Sequence, residues 1–191
     1  MNEEKHTKPL ISVMIATVLL VVLSASPASA SAKTDAKKAE LNRMAKDTLK
    51  SLQDKRSNTK GMYDRAYGYA VFSNVKVSLM ISAGGGAGVA VEKAGERRTY
   101  MKMGTAGLNI GLGAQKYQVV FFFENKKVFD NFVDKGWQAD ANANAVAGTA
   151  GANAEAAFKN GIAVYQITQA GLMLQADIAG TKYWKNKKLN K

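Results

Sequence analysis

Residues 117–123, YQVVFFF, decide the fold of this chain. From Val119 onward every side chain is apolar, and aromatic and β-branched residues favour extended structure. A strand that is apolar on both faces suits the core of a folded domain. The stretch therefore predicts a central strand, which the polar residues after Phe123 end.

Further extended segments lie on either side of this strand, between Gly61 and Gly180, where all 17 glycines of the chain occur. The glycine cluster at 84–88 predicts a close-packed bend or bulge where side chains would not fit. It does not match a phosphate-binding loop, because a strand follows it instead of a helix. A second bend is expected at 104–107. Strands are predicted over residues 69–72, 76–82, 89–93, 98–103, 108–112, 162–168 and 172–178.

Two helices are predicted beside the strands. Residues 34–56 lack glycine and carry an apolar stripe at helical spacing. The stripe consists of Leu41, Met44, Ala45, Thr48, Leu49 and Leu52. Residues 127–135 predict a shorter helix, and a helical turn is expected at 62–66. We therefore expect an α+β fold, with a mostly antiparallel, twisted or barrel-like sheet packed against the N-terminal amphipathic helix and the short second helix.

Residues 139–157 show an unusual alternation of Ala with Asn, Asp or Gly. Period two favours a strand with one face of methyl groups, pressed against something bulky. A helix or a flexible linker is the alternative, since Ala favours helices. Residues 140–144 resemble the first half of a calcium loop, but the required Gly and Glu are missing, so calcium is not expected.

Residues 1–30 have the order of a secretory signal peptide. Lys5 and Lys8 precede an apolar run over 10–23, and small residues up to Ala30 follow. The run is too short to span a bilayer. We expect cleavage near Ala30, export to the periplasm or envelope, and a single domain over 31–191 that ends in a basic tail.

The composition excludes several kinds of chemistry. The chain has one His and no Cys, and that His lies in the segment expected to be removed. The mature domain therefore lacks His- and Cys-based catalysis and ordinary zinc sites. Asp130 and Asp134 share one helix face beside lysines, which favours solvated ion pairs over an enzyme that uses carboxylates alone. We expect no enzyme, no cofactor and no metal.

Positive charge dominates, with 27 basic and 15 acidic side chains and a net charge of +12. Most of the surplus lies in residues 33–60 and 182–191. Tyr and Trp favour membrane–water interfaces, and Lys is attracted to acidic headgroups. The apolar stripe of the first helix either packs on the sheet or lies on a bilayer. The predicted lipid-binding residues are Lys37, Lys38, Arg43, Lys46, Lys50, Lys182, Tyr183, Trp184, Lys185, Lys187 and Lys188.

The ordered series of segments over residues 36–189 resembles the SYLF-domain family, known as lipid-binding, whose fungal members also bind actin. The resemblance rests on AVFSNV at 70–75, the glycine cluster, GLNIG at 107–111 and GTKYWK at 180–185. It implies binding of phosphoinositide or other anionic lipid through basic residues and an amphipathic segment. Ser73 departs from the family's common Pro. An exported chain would not meet actin, so only lipid binding is carried over.

The expected function is non-catalytic binding of an anionic lipid or membrane surface in the bacterial envelope. The alternatives are a small outer-membrane β-barrel and an envelope structural or interaction protein with an unknown protein partner. The doubly apolar strand at 117–123 and the final Lys191 count against the barrel. Nucleic acid and nucleotides are not expected as partners, because an exported domain rarely meets nucleic acid and no phosphate-binding loop is present.

Overall fold

The computed structural model describes residues 27–78, 81–108, 113–138, 158–168, 171–173 and 180–191. Its helices are α1 (Pro27–Lys55), α2 (Asn58–Arg65) and α3 (Lys126–Asp130), and α3 continues as a π-helical turn over Asn131–Lys135. Its strands are β1 (Gly68–Ser78), β2 (Ile81–Glu92), β3 (Arg97–Leu108), β4 (Gly113–Phe123), β5 (Trp137–Gln138), β6 (Ile162–Thr168), β7 (Gly171–Met173) and β8 (Thr181–Lys185).

Within the described ranges, eight strands form one curled sheet in the order β5-β8-β3-β2-β1-β4-β6-β7. Every pairing is antiparallel. β4 lies between β1 and β6, and Val119, Val120, Phe121, Phe122 and Phe123 are 0% exposed. The predicted α+β class and the central position of 117–123 are thus confirmed.

Alternate residues of β4 serve two separate cores, one on each face of the sheet. Phe121 packs with Phe132 of the π-helical turn, on what we call the aromatic face. Phe122 packs towards Leu49 and Leu52 of α1, on what we call the α1 face. The two helices therefore cover opposite faces of the sheet, which explains why this strand is apolar on both sides.

α1 is docked on the sheet along its predicted stripe. The buried residues of the stripe are Leu41, Ala45, Thr48, Leu49 and Leu52, and the apolar ones belong to the core on the α1 face. Of the two roles left open for this stripe, the structure shows packing on the sheet. Of the described helices, none combines the length and apolar character that crossing a membrane requires.

The glycine cluster does not form the predicted bend, because β2 runs straight through it and pairs with β1 on one side and β3 on the other. The glycines are needed for close approach, as expected. A Cβ at Gly86 would lie 2.0 Å from the Ser73 carbonyl oxygen, and one at Gly88 would lie 2.5 Å from the Phe72 ring. Likewise β3 continues through the bend expected at 104–107.

Several smaller boundaries differ from the prediction. The predicted strand 76–82 divides between the end of β1 and the start of β2, and the turn predicted at 62–66 is the end of α2. The predicted basic tail begins as strand β8, whose Lys185 pairs with Met101 of β3. The Ala-rich stretch 139–157, with its half calcium loop, lies outside the described residues.

Candidate functional site

Tyr183 and Trp184 are neighbours in sequence but point to opposite faces of the sheet. Tyr183 is 0% exposed and lies on the aromatic face, with its ring centroid 5.0 Å from that of Phe121 and 5.7 Å from that of Phe132. Burial raises the pKa of its phenol well above the ordinary value. The expectation that Tyr183 contacts lipid is corrected, because its ring belongs to the core.

Trp184 lies on the α1 face and is 39% exposed. Its ring covers Gly104, since a Cβ added there would lie 3.2 Å from the indole. Lys102 and Lys182 are exposed on the same face, where Lys102 pairs in register with Trp184 and Lys182 with Gly104. An exposed indole with two lysines beside it is typical of protein surfaces at a membrane–water interface.

The two basic ends of the sequence meet at Tyr100 on this face. Lys38 of α1 lies 5.8 Å from the centre of the Tyr100 ring, and Asn42 donates to its hydroxyl at 3.1 Å. From the other end, Asn190 accepts from the Tyr100 amide at 2.9 Å, and the Asn186 amide donates to the Tyr100 carbonyl at 2.9 Å. The sequence offered no signal for this junction, because neither Asn is distinctive by type or spacing.

The junction fixes the position of the C-terminal turn. Leu189 of this turn is buried in the α1-face core, while Lys187 and Lys188 beside it are exposed. We call Lys38, Lys182, Trp184, Lys187 and Lys188 the junction patch. Its members come from both basic ends of the chain, and the fold places them around one edge of the α1 face.

Three of the predicted lysines are engaged in ion pairs. Lys37 pairs with Glu40 at 2.7 Å and Lys50 with Asp54 at 2.7 Å. Lys185 points to the aromatic face and pairs with Asp134 at 2.9 Å, which lowers the pKa of that carboxyl. Among the described residues, no acidic side chain lies within ion-pair distance of Lys38, Arg43, Lys46, Lys182, Lys187 or Lys188.

A groove of about 650 Å³ runs along the flank of α1, between this helix, α2 and the first three strands. Arg43, Lys46 and Lys50 line it from α1, so these predicted residues lie together, though apart from the junction patch. Sequence reasoning missed Arg98, Tyr63 and Tyr69, which also line the groove. Strand alternation was the available signal for Arg98, since it shares a face with Tyr100 and Lys102.

The acidic residues of the short helix form surface ion pairs. Asp130 lies 2.5 Å from the ammonium of Lys126 and 3.7 Å from the guanidinium of Arg97. Asp134 is held by Lys185. Among the described residues, no group of three or more His, Cys, Asp or Glu side chains is placed to hold a metal ion.

The domain is of the α+β class. Its curled antiparallel sheet has a basic helix docked on one face and an aromatic core on the other. A family model described as Las17-binding protein actin regulator (Ysc84) matches residues 104–191. Beta cell expansion factor A of Aeromonas veronii is 46% identical over 149 residues, which cover 78% of this chain and 57% of that protein. The chain belongs to the SYLF-domain family, as its segment order indicated. It spans little more than half the length of this curated relative.

Proposed function

We propose that this protein binds anionic lipid at an envelope membrane surface and performs no catalysis. The observation that carries the proposal is the junction patch, where lysines from both ends of the chain and an exposed indole share one edge of the α1 face. The family's lipid-binding character supports the same chemistry. The signal-like residues 1–30 support an envelope location.

The patch has the composition that a peripheral contact needs. Each Lys near an anionic bilayer contributes about 1 kcal/mol of attraction, and this attraction weakens with salt. Within the described structure, no ion pair of Lys182, Lys187 or Lys188 has to break before these lysines bind a lipid headgroup. Trp184 adds a ring that favours the interfacial region.

The proposal uses α1 in its docked position. Undocking would expose Leu41, Leu49 and Leu52, and each large apolar side chain moved from a core to water costs about 1.5–3 kcal/mol. A bilayer would have to offset that loss before the helix stripe could serve as the contact. The docked form already presents the patch without any rearrangement.

The test is co-sedimentation of the processed protein, recovered after export, with neutral and anionic vesicles across a salt series. The variant Lys187→Gln/Lys188→Gln should bind anionic vesicles roughly thirtyfold more weakly, since two lysines contribute about 2 kcal/mol. The matched control, Lys127→Gln/Lys135→Gln, removes the same charge from exposed positions around α3 and should bind like the parent. Equal binding by both variants would reject the patch. Equal binding to neutral and anionic vesicles would reject the anionic-lipid function.

A further inference from the structure

The flank groove of α1 has polar walls and an apolar floor. Residues from Asn42 to Gln53 of α1 form one wall, which corresponds to a length of about 16 Å at 1.5 Å per residue. Val89 and Val91 of β2 and Leu49 of α1 form the floor, and each is at most 8% exposed. The volume of about 650 Å³ lies within the range of small-molecule sites.

Two neighbouring tyrosine rings line the groove. Tyr63 and Tyr69 lie with their ring centroids 5.6 Å apart, and both line the cavity. The ammonium of Lys93 lies 4.7 Å from the centre of the Tyr63 ring and donates to the Tyr63 carbonyl at 2.7 Å. Lys93 therefore contacts both the side chain and the backbone of Tyr63. Burial raises the pKa of the Tyr69 phenol above its ordinary value of 10.0.

Charge along the rim has one sign. Among the described residues that line the groove, the charged side chains are Arg43, Lys46, Lys50 and Arg98, and all four are cationic. Lys50 is engaged by Asp54, and Arg98 lies 3.9 Å from Glu96. Arg43 and Lys46, one helical turn apart on α1, have no such partner within the described residues. Neighbouring cations above an apolar floor are complementary to a ligand with an anionic head and an apolar chain.

We propose that this groove binds one molecule of a single-chain anionic amphiphile, with its headgroup at Arg43 and Lys46 and its chain on the Leu49, Val89 and Val91 floor. A ligand of this class consists of a phosphate or carboxylate group joined to one alkyl chain. The proposal rests on the anionic-lipid chemistry of the proposed function, but it concerns a separate surface and a dissolved monomer instead of a bilayer.

The test is calorimetric titration of the processed protein with dodecyl phosphate below its critical micelle concentration. We expect saturable binding of one molecule per chain. Dodecylphosphocholine tests the need for net negative charge, and inorganic phosphate tests the need for the chain. Each should bind at least roughly tenfold more weakly, because each lacks one of the two complementary parts. Absence of saturable binding, or equal binding of all three probes, would overturn the proposal.

The variant Arg43→Gln/Lys46→Gln should weaken binding of dodecyl phosphate at least roughly tenfold, since hydrogen bonds to charged groups are among the stronger polar contacts. The matched control, Lys33→Gln/Lys55→Gln, removes two exposed charges from α1 outside the groove and should bind normally. All four positions are exposed or at the rim, so folding should survive. Equal affinity of the two variants would contradict the assignment of the headgroup site.

The position of the chain is tested by methyl NMR. Dodecyl phosphate should shift the methyl signals of Leu49, Val89 and Val91 and leave those of Val119, in the opposite core, unchanged. Shifts confined to other methyl groups would overturn the site. If the protein binds dodecyl phosphate in this way but does not sediment with anionic vesicles, the membrane-surface function fails and the groove assignment stands.

Discussion

The rings of Phe72 and Tyr183 meet edge to face, with their centroids 4.8 Å apart. Phe72 belongs to β1 and Tyr183 to β8, and the order of strands places β2 and β3 between them. Phe72 reaches across because its partner in β2 is Gly88, which has no side chain in the way. The glycine cluster therefore allows the aromatic core to close over the sheet.

This relationship predicts opposite outcomes for two Gly→Ala changes. Gly88→Ala places a methyl group 2.2 Å from the Val71 carbonyl oxygen and 2.5 Å from the Phe72 ring, so it should destabilise the fold by about 1–3 kcal/mol or more. Gly61→Ala lies in α2 with no atom within 4 Å and should stabilise by about 0.5–1 kcal/mol. Urea denaturation measures both. A Gly88→Ala protein as stable as the parent would show that the ring of Phe72 does not need this space.

Tyr183→Phe should leave the free energy of unfolding unchanged or raise it by up to about 1 kcal/mol. Within the described residues, the buried Tyr183 hydroxyl has no hydrogen-bond partner, so its removal relieves an unpaired polar group. Tyr117→Phe is the contrast. The Tyr117 hydroxyl accepts from Asn74 at 2.6 Å, and its loss should cost about 1–3 kcal/mol. A large loss of stability in Tyr183→Phe would mean that the hydroxyl is paired in solution.

Acid should weaken the fold through Glu92. The Tyr67 hydroxyl donates to this carboxylate, and the Arg97 guanidinium lies 2.7 Å from it, so the pKa of Glu92 is held below its ordinary value of 4.5. A lowered pKa in the folded state stabilises above the ordinary pKa, and the contribution is lost as pH falls through the lowered value. Carboxyl NMR should therefore give a titration midpoint for Glu92 below 4.5. In Glu92→Gln, the urea midpoint should depend less on pH across this acid range, and a midpoint for Glu92 at or above 4.5 would contradict the arrangement.

The sequence correctly predicted those elements whose structure depends on a local pattern of residues. The central strand follows from the run of apolar residues at 117–123, and the docked face of α1 follows from its helical stripe. The glycine cluster was misjudged as a bend because its need for glycine comes from Phe72, on a different strand. That reason is tertiary and leaves no trace in the spacing of the glycines themselves.

The candidate sites likewise combine features that follow from local sequence with features that depend on tertiary structure. The basic and aromatic character of residues 182–188 was visible in the sequence, but the many charged residues gave no indication that residues 182–185 form a strand. Alternation along β8 would have separated Tyr183 from Trp184 had the segment been predicted as a strand. The groove depends on Arg98 lying beside α1, and this juxtaposition is created only when the helix packs on the sheet.

Trp184→Phe separates the two tryptophans of the chain as reporters of membrane contact. Trp184 is exposed on the α1 face, whereas Trp137 packs with the core of the aromatic face, 5.6 Å from the Phe121 ring centroid. Anionic vesicles should shift the parent's fluorescence emission to the blue, because the indole of Trp184 moves from water towards the interface. Trp184→Phe should lose this shift while retaining the emission of Trp137, and Trp184→Ala should bind the vesicles about tenfold more weakly. Persistence of the full blue shift in Trp184→Phe would place the contact on the Trp137 side of the sheet and reject the junction patch.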